Sequence, residues 1–275
     1  MSSGANPPLE PELIDLLAGN DSITLHDTGQ KETRMPQEVN ELGEPVGSAV
    51  RDWCAPDPPS RQPMVGRTCR LEVLDPERHA GDLHAANVQD RENRIWTYLG
   101  YGPFESLVEY RKWADEVSRS SDPLFYAIID TAIGKAAGVA SYLRISPSNG
   151  SIEVGHINYS PLLQRTPAAT EAMYLMMKRI FEAGFRRYEW KCDALNTRSR
   201  NAAQRLGFSY EGIFRQATVY KGRNRDTAWY AAIDKDWPEL ESAFTRWLDA
   251  SNFDKQGRQR LHLAELTQSI LKARG

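Results

Sequence analysis

The sequence predicts a mixed α/β (α+β) fold, a central mixed sheet of about six to seven strands flanked by helices. Three observations lead there. Short alternating or continuously apolar segments recur between Cys69 and Ile233 and read as strands. Amphipathic stretches with helix start and stop signals lie between them. Two strands run straight into helices, as parallel crossovers require, whereas others are joined by turns of a few residues, as antiparallel pairs allow.

Each element has its own justification. Residues 1–65 read as an N-terminal extension, partly extended: "PELIDLLAG" places Leu13, Leu16 and Leu17 on one helical face, and "CAPDPPSRQP" is proline-rich. From Thr68, "TCRLEVL" alternates as a strand, and Asp75-Pro76 opens the helix "PERHAGDLHAANV". "ESLVEYRKWADEVS" carries Leu107, Tyr110 and Trp113 on one face. "PLFYAIID" and "AAGVASYLRI" form a hairpin about Thr131–Gly134, and "SIEVGHINYS" follows the turn Ser146–Gly150. "YEWKCDAL" is the next strand, and "TRSRNAAQRLG" a helix ending at Gly207. "FSYEGIFRQATVY" and "DTAWYAAI" are strands joined by the turn "KGRNR", which leaves residues 236–275 as a C-terminal helical tail. Residues 66–235 are thus expected to hold the domain.

Composition narrows the function. The 275 residues carry a net charge of −3, which gives no support to nucleic acid as a partner. No apolar run reaches the roughly 20 residues that span a bilayer, and the acidic N-terminus lacks the basic, apolar pattern of a signal peptide. Three cysteines without a C-x-x-C spacing fit free thiols in the cytoplasm. The five histidines and three cysteines show no metal-ligand spacing, so no metal is expected.

The chemistry concentrates where a strand gives way to a helix. Thr166 reads as the N-cap and Pro167 as the first helical residue. Ala168 and Ala169 leave first-turn N–H groups uncovered, an arrangement that suits a pyrophosphate, with Arg165 beside it. Close packing of an ordinary strand-to-helix junction uses the same small residues, and this alternative stays open. On the strands to either side, Glu153, His156 and Asp193 are candidate proton acceptors. Strand alternation puts Glu153 and His156 on opposite faces unless a bulge re-aims one of them. Glu153 is preferred, since a carboxylate in a partly apolar cleft gains basicity; His156 needs less tuning.

Two segments, "IEVGHINYSPLLQRTPAATEA" and "ALNTRSRNAAQRLGF", resemble the GNAT superfamily of acetyl-CoA-dependent N-acetyltransferases, in the branch of the ribosomal-protein N-terminal acetyltransferases. The resemblance covers about residues 66–235 and implies a sheet splayed between its fourth and fifth strands, here "SIEVGHINYS" and "YEWKCDAL". It implies acetyl-CoA as acetyl donor, with a pyrophosphate loop of pattern Q/R-x-x-G-x-G/A. Gln164 and Ala169 match its ends, while Pro167 stands where the first glycine is usual and removes one N–H donor. Gln164, Arg165, Thr166, Ala168, Ala169 and Thr170 are therefore expected to form the cradle. By the same resemblance Asn196 holds the pantetheine or a water, and Ser199 protonates the departing thiolate, with Tyr220 open for that role. Ser199 also fits an early-helix polar residue that serves the backbone. A strand N–H between Ile157 and Tyr159 would polarise the thioester carbonyl.

The implied reaction is direct acetyl transfer to a primary amine of a small molecule or a protein N-terminus, with no acyl-enzyme. The aromatic run "NRIWTYLGYGPF" fits an acceptor wall or the packing of a loop on its own core. The acidic balance favours a small cationic amine over a basic ribosomal protein. A non-catalytic acyl-CoA-binding scaffold with the same fold is the rival reading. A homodimer built through the arm or tail stays open.

Overall fold

The structure, a computed structural model, describes residues 38–275; the helix expected over "PELIDLLAG" lies outside them. The chain divides into two compact units, Met1–Trp53 and Cys54–Gly275. In the first, β1 (Glu38–Val39) pairs antiparallel with β2 (Pro45–Val46). Asn40 Oδ1 closes their turn by accepting from the N–H groups of Leu42 and Glu44 at 2.9 Å each.

The second unit takes in the proline-rich 54–65 segment and the 236–275 tail along with residues 66–235. Its order is β3 (Met64–Val65), β4 (Cys69–Val73), α1 (Pro76–Asn87), α2 (Leu107–Ser118), β5 (Leu124–Asp130), β6 (Lys135–Ser146), β7 (Ser151–Tyr159), α3 (Pro167–Glu182), β8 (Arg187–Asp193), α4 (Thr197–Arg205), β9 (Ser209–Tyr220), β10 (Arg223–Ile233), α5 (Trp237–Leu248) and α6 (Leu263–Thr267). The eight strands form one mixed sheet in the order β3-β4-β5-β6-β7-β8-β10-β9. Only β7 and β8 run parallel; every other neighbouring pair is antiparallel. The strand beyond the expected six to seven is the two-residue β3.

Burial of β5 explains the layering. All seven of its residues are buried, which is why "LFYAIID" reads as a continuous apolar run. Leu124, Tyr126 and Ile128 join a core with α3, α5 and α6, whereas Phe125, Ala127 and Ile129 join a second core with α1 and α2. Helices thus cover both faces, and each large side chain buried there contributes roughly 1.5–3 kcal/mol.

Helix ends follow the sequence signals. Asp75 caps α1 through Glu77 and Arg78 N–H, and Ser106 caps α2 through Glu109 N–H. Gly207 closes α4 at φ +89°, and a Cβ there would lie 2.2 Å from Leu240 Cδ2, so both backbone and packing demand glycine. The β9–β10 turn is shorter than "KGRNR" suggests. Lys221 and Gly222 alone make it, at φ +48° and +70°, the double positive φ of a two-residue hairpin turn.

Candidate functional site

The site originates in a failure of strand pairing. β7 and β8 are in register from Ser151/Arg187 to Val154/Trp190 and then part. Beyond Val154, β7 has no partner on that side, so the backbone groups facing the gap open into a cleft of about 1460 Å³. A second irregularity lies on the other edge of β7. Its pairing with β6 jumps from Ser141/Gly155 to Val139/Asn158, placing two residues, His156 and Ile157, opposite one. His156 takes φ +50° in this bulge. The bulge cancels the alternation, so Glu153 and His156 both line the cleft.

Glu153 is 3% exposed, yet its Oε2 receives both Arg144 Nη1 at 2.7 Å and Lys191 Nζ at 2.9 Å. Burial raises its pKa, and the two cations oppose that rise. Its Oε1 accepts no hydrogen bond among the described residues. Lys191 also bonds Glu189 at 2.6 Å and lies 3.7 Å from the centre of the Trp229 ring. His156 packs against Phe125 and Tyr101, with ring centres 5.0 and 5.7 Å away. Burial first, then the charges of Arg144 and Arg225, push its pKa down to about 4. It is neutral at pH 7.

The opposite wall carries the polar helix start. Asn196 caps α4 by accepting from Ser199 N–H at 3.1 Å, so the asparagine, and not the serine, serves the helix backbone. Ser199 Oγ instead accepts from Trp190 Nε1–H at 3.0 Å, and its own proton is turned to the Cys192 sulfur, a weak acceptor. Tyr220 donates to Asp193 Oδ2 at 2.8 Å, and Asp193 also accepts from Leu195 N–H. Burial and this carboxylate push the Tyr220 pKa up to about 12, and its phenolic proton is already committed. Cys192 is buried with a raised pKa, chiefly through loss of hydration, an unreactive thiol.

At the far end, α3 begins as the sequence indicates: Thr166 is the N-cap, Pro167 the first helical residue, and Thr166 Oγ1 accepts from Ala169 N–H at 3.2 Å. That bond removes Ala169 N–H from the cradle. Gln164 Nε2 donates to Tyr159 O at 2.7 Å, so this amide ends β7. The N–H groups of Arg165 and Ala168 keep no acceptor among the described residues. Ile157, Tyr159, Gln164, Arg165, Ala169, Asn196 and Ser199 line the cleft with Glu153 and His156; Thr166, Ala168 and Thr170 do not contribute to its wall.

One residue that sequence reasoning missed lies beside this turn. Arg205, in the last turn of α4, lines the cleft and donates from Nη1 and Nη2 to Thr170 Oγ1 at 3.2 Å. No carboxylate lies within 4 Å of it among the described residues, and burial lowers its pKa. A half-buried cation bonded to the first turn of α3, in a cleft that Arg165 also lines, fits a phosphate-bearing ligand. In sequence, an arginine in a final helical turn reads only as a favourable dipole partner, so nothing distinguished it.

The aromatic run does two things. Trp96, Tyr101 and Phe104 pack with Trp113 and Tyr110, while Ile95, Thr97, Tyr98 and Leu99 line the cleft. Tyr98 Oη donates to Leu195 O at 3.2 Å, and Lys221 Nζ donates to Trp96 O at 2.8 Å. The loop is thereby tied to the start of α4 and to the β9–β10 turn. Among the described residues no group of His, Cys, Asp and Glu is placed to hold a metal, and no helix is long and apolar enough to cross a membrane.

Comparison with known proteins agrees with this geometry. Residues 70–209 match the family model described as an acetyltransferase (GNAT) domain. A GCN5-related N-acetyltransferase from Brucella melitensis is 45% identical over 80% of this chain and 100% of its own, with a TM-score of 0.78. A probable acetyltransferase of the GNAT family from Chromobacterium violaceum is 36% identical over 71% of this chain and 98% of its own, with a TM-score of 0.66. The ribosomal L7/L12 alpha-N-protein acetyltransferase RimL is 25% identical over 62% and 94%, with a TM-score of 0.53. No curated protein matches the chain. A domain match over half the sequence, a relative covered along its full length and a sheet that opens between its parallel strands have one explanation: the chain belongs to the GNAT family, as an N-acetyltransferase that draws its acetyl group from acetyl-CoA.

Proposed function

We propose that the enzyme transfers acetyl directly to a primary amine, of a small molecule or of a protein N-terminus, in the cleft between β7 and β8. The observation that carries this reading is the presence, on walls of one cleft, of an unused carboxylate oxygen, Glu153 Oε1, and of a hydroxyl, Ser199 Oγ–H, whose oxygen is fixed by the Trp190 indole and whose proton meets only the weak acceptor Cys192 Sγ. Acetyl-CoA, when bound, supplies an acetyl group activated as a thioester. Arg205 and the N–H group of Arg165 are the groups that would hold its phosphates, and Asn196 Nδ2 would donate to its pantetheine. Open backbone N–H groups of β7 beyond Val154 would polarise the carbonyl.

An amine attacks only after its ammonium has lost a proton. Glu153 takes that proton on Oε1, directly or through one water, while Arg144 and Lys191 fix the other oxygen. Ser199 gives its proton to the leaving sulfur, held in position by the Trp190 indole. His156, neutral and wedged between rings, shapes the cleft. Proton transfer of this kind contributes about 10²–10⁴ in rate. Three free cysteines, with Cys69 and Cys192 buried, accord with a cytoplasmic location. The test is thiol release from acetyl-CoA across a panel of primary amines. Release with at least one amine, cut about a hundredfold in Glu153→Gln, supports the reading, and no amine-dependent release across the panel refutes it.

A further inference from the structure

The charge of the cleft opposes that of the molecule. The chain carries a net −3, whereas the cleft is lined by seven arginine and lysine side chains against three carboxylates. Arg165, Arg198 and Arg205 lie around the helix starts, where a phosphate-bearing ligand accounts for them. Arg144 and Lys191 are neutralised on Glu153, and Arg94 on Glu92. One cation is left over. Arg225 of β10 is half-buried on the cleft wall and has no carboxylate within 4 Å among the described residues; its Cζ lies 5.8 Å from the centre of the Tyr220 ring.

Arg225 Nε is buried without an acceptor, and so is Trp229 Nε1 on the same strand. Both residues line the cleft. A buried donor left unpaired is costly, more so when it is charged, so two of them on one wall call for an acceptor atom from outside the chain. Arg225 is also one of the two charges that depress the His156 pKa, which places its field on the β7 side of the gap, away from the phosphate end. The carboxylates of Glu153 and Asp193 line the same cleft and suit an ammonium.

From this arrangement we infer that the acceptor is zwitterionic: its amine is received beside Glu153 while a second group bearing anionic oxygens, a carboxylate or phosphate, pairs with Arg225 and Trp229 Nε1. A polycationic acceptor such as a polyamine would set a positive charge against Arg225 with nothing to offset it. The inference reverses the preference for a simple cationic amine drawn from overall charge, because the local field and the net charge have opposite signs. It rests on the proposed direct transfer to an amine.

The test uses the full-length enzyme with acetyl-CoA and matched acceptors: amino acids against their carboxamides, dipeptides with a second residue of Asp or Glu against Asn or Gln, an O-phosphorylated amine, and spermidine. Thiol release gives kcat/KM for each. We expect the acid or phosphorylated member of at least one pair to exceed its neutral partner by about tenfold or more, as a charged hydrogen bond allows, with spermidine below both. Arg225→Gln should collapse that ratio to within about threefold without altering the KM for acetyl-CoA, and Arg225→Lys should restore part of it. Equal or better use of carboxamides or spermidine overturns the inference and leaves direct transfer standing, as does a rise in the acetyl-CoA KM of Arg225→Gln with the acceptor ratio unchanged. No release with any amine overturns both. Calorimetric binding of acetyl-CoA to each variant confirms that it is folded.

Discussion

At the scale of single residues, the account separates groups that face the chemistry from groups that hold them. Ser199 Oγ is fixed by the Trp190 indole, and its proton rests against the weak acceptor Cys192 Sγ. Ser199→Ala should lower kcat about a hundredfold while moving the dissociation constant of acetyl-CoA less than threefold; stopped-assay kinetics beside calorimetry read the two separately. An equal loss in both would make the residue a binding group only. His156 gives a pH prediction. Its folded pKa of about 4 lies below the ordinary 6.5, so it adds stability above pH 6.5 and loses it as pH falls towards 4. The melting temperature should decline through that window, and less steeply in His156→Asn, whose side chain tolerates positive φ. Identical slopes would show that His156 does not titrate there. Glu153 and His156 could be singled out as polar residues of a strand beside the junction, whereas Asn196 and Ser199 were singled out only through the resemblance, since a polar helix start alone reads as a cap. Arg205, Arg144 and Lys191 were not, and Arg225 could be read only as one cation of the turn "KGRNR", open between a contact to acceptor or phosphate and a solvated hairpin tip. What distinguishes a working cation from a solvated one is the absence or presence of a carboxylate brought in from elsewhere in the fold.

At the scale of elements, the cleft depends on two local departures from regular pairing, the parting of β7 from β8 after Val154/Trp190 and the bulge at His156–Ile157. Sequence alternation could state what the bulge would accomplish but not that it exists, since a bulge is a relation between two strands. The start of α3 was more legible. Thr-Pro-Ala-Ala specifies its cap from local chemistry alone, and the structure places Thr166 and Pro167 as the spacing requires. The same cap uses up Ala169 N–H, a cost to the cradle that no motif reveals. Thr166→Ala should destabilise the protein by about 1 kcal/mol, measured by urea denaturation. It should also release Ala169 N–H toward the cleft, so acetyl-CoA affinity should hold or improve. Weaker binding at unchanged stability would mean that the hydroxyl itself contacts the ligand.

At the scale of the whole molecule, the centre of the sheet is buried between two helical layers while its β9 edge is exposed, and the continuous apolar strand β5 announced the buried centre. What the totals concealed is that an acidic chain encloses a basic cleft. Net charge sums over the entire surface, whereas a ligand responds to charges within a Debye length of about 8 Å at physiological salt. The proposed binding of acetyl-CoA in this cleft runs through the half-buried Arg205 at the α3 start. Calorimetric titration of acetyl-CoA into the wild type and Arg205→Gln measures it directly. The account predicts micromolar binding by the wild type, weakened about tenfold or more in the variant, as loss of a charged phosphate contact implies. No binding to the folded wild type, or equal binding by the two proteins, would contradict it. Absence of binding would leave the chain as a scaffold in which Pro167 has closed the cradle.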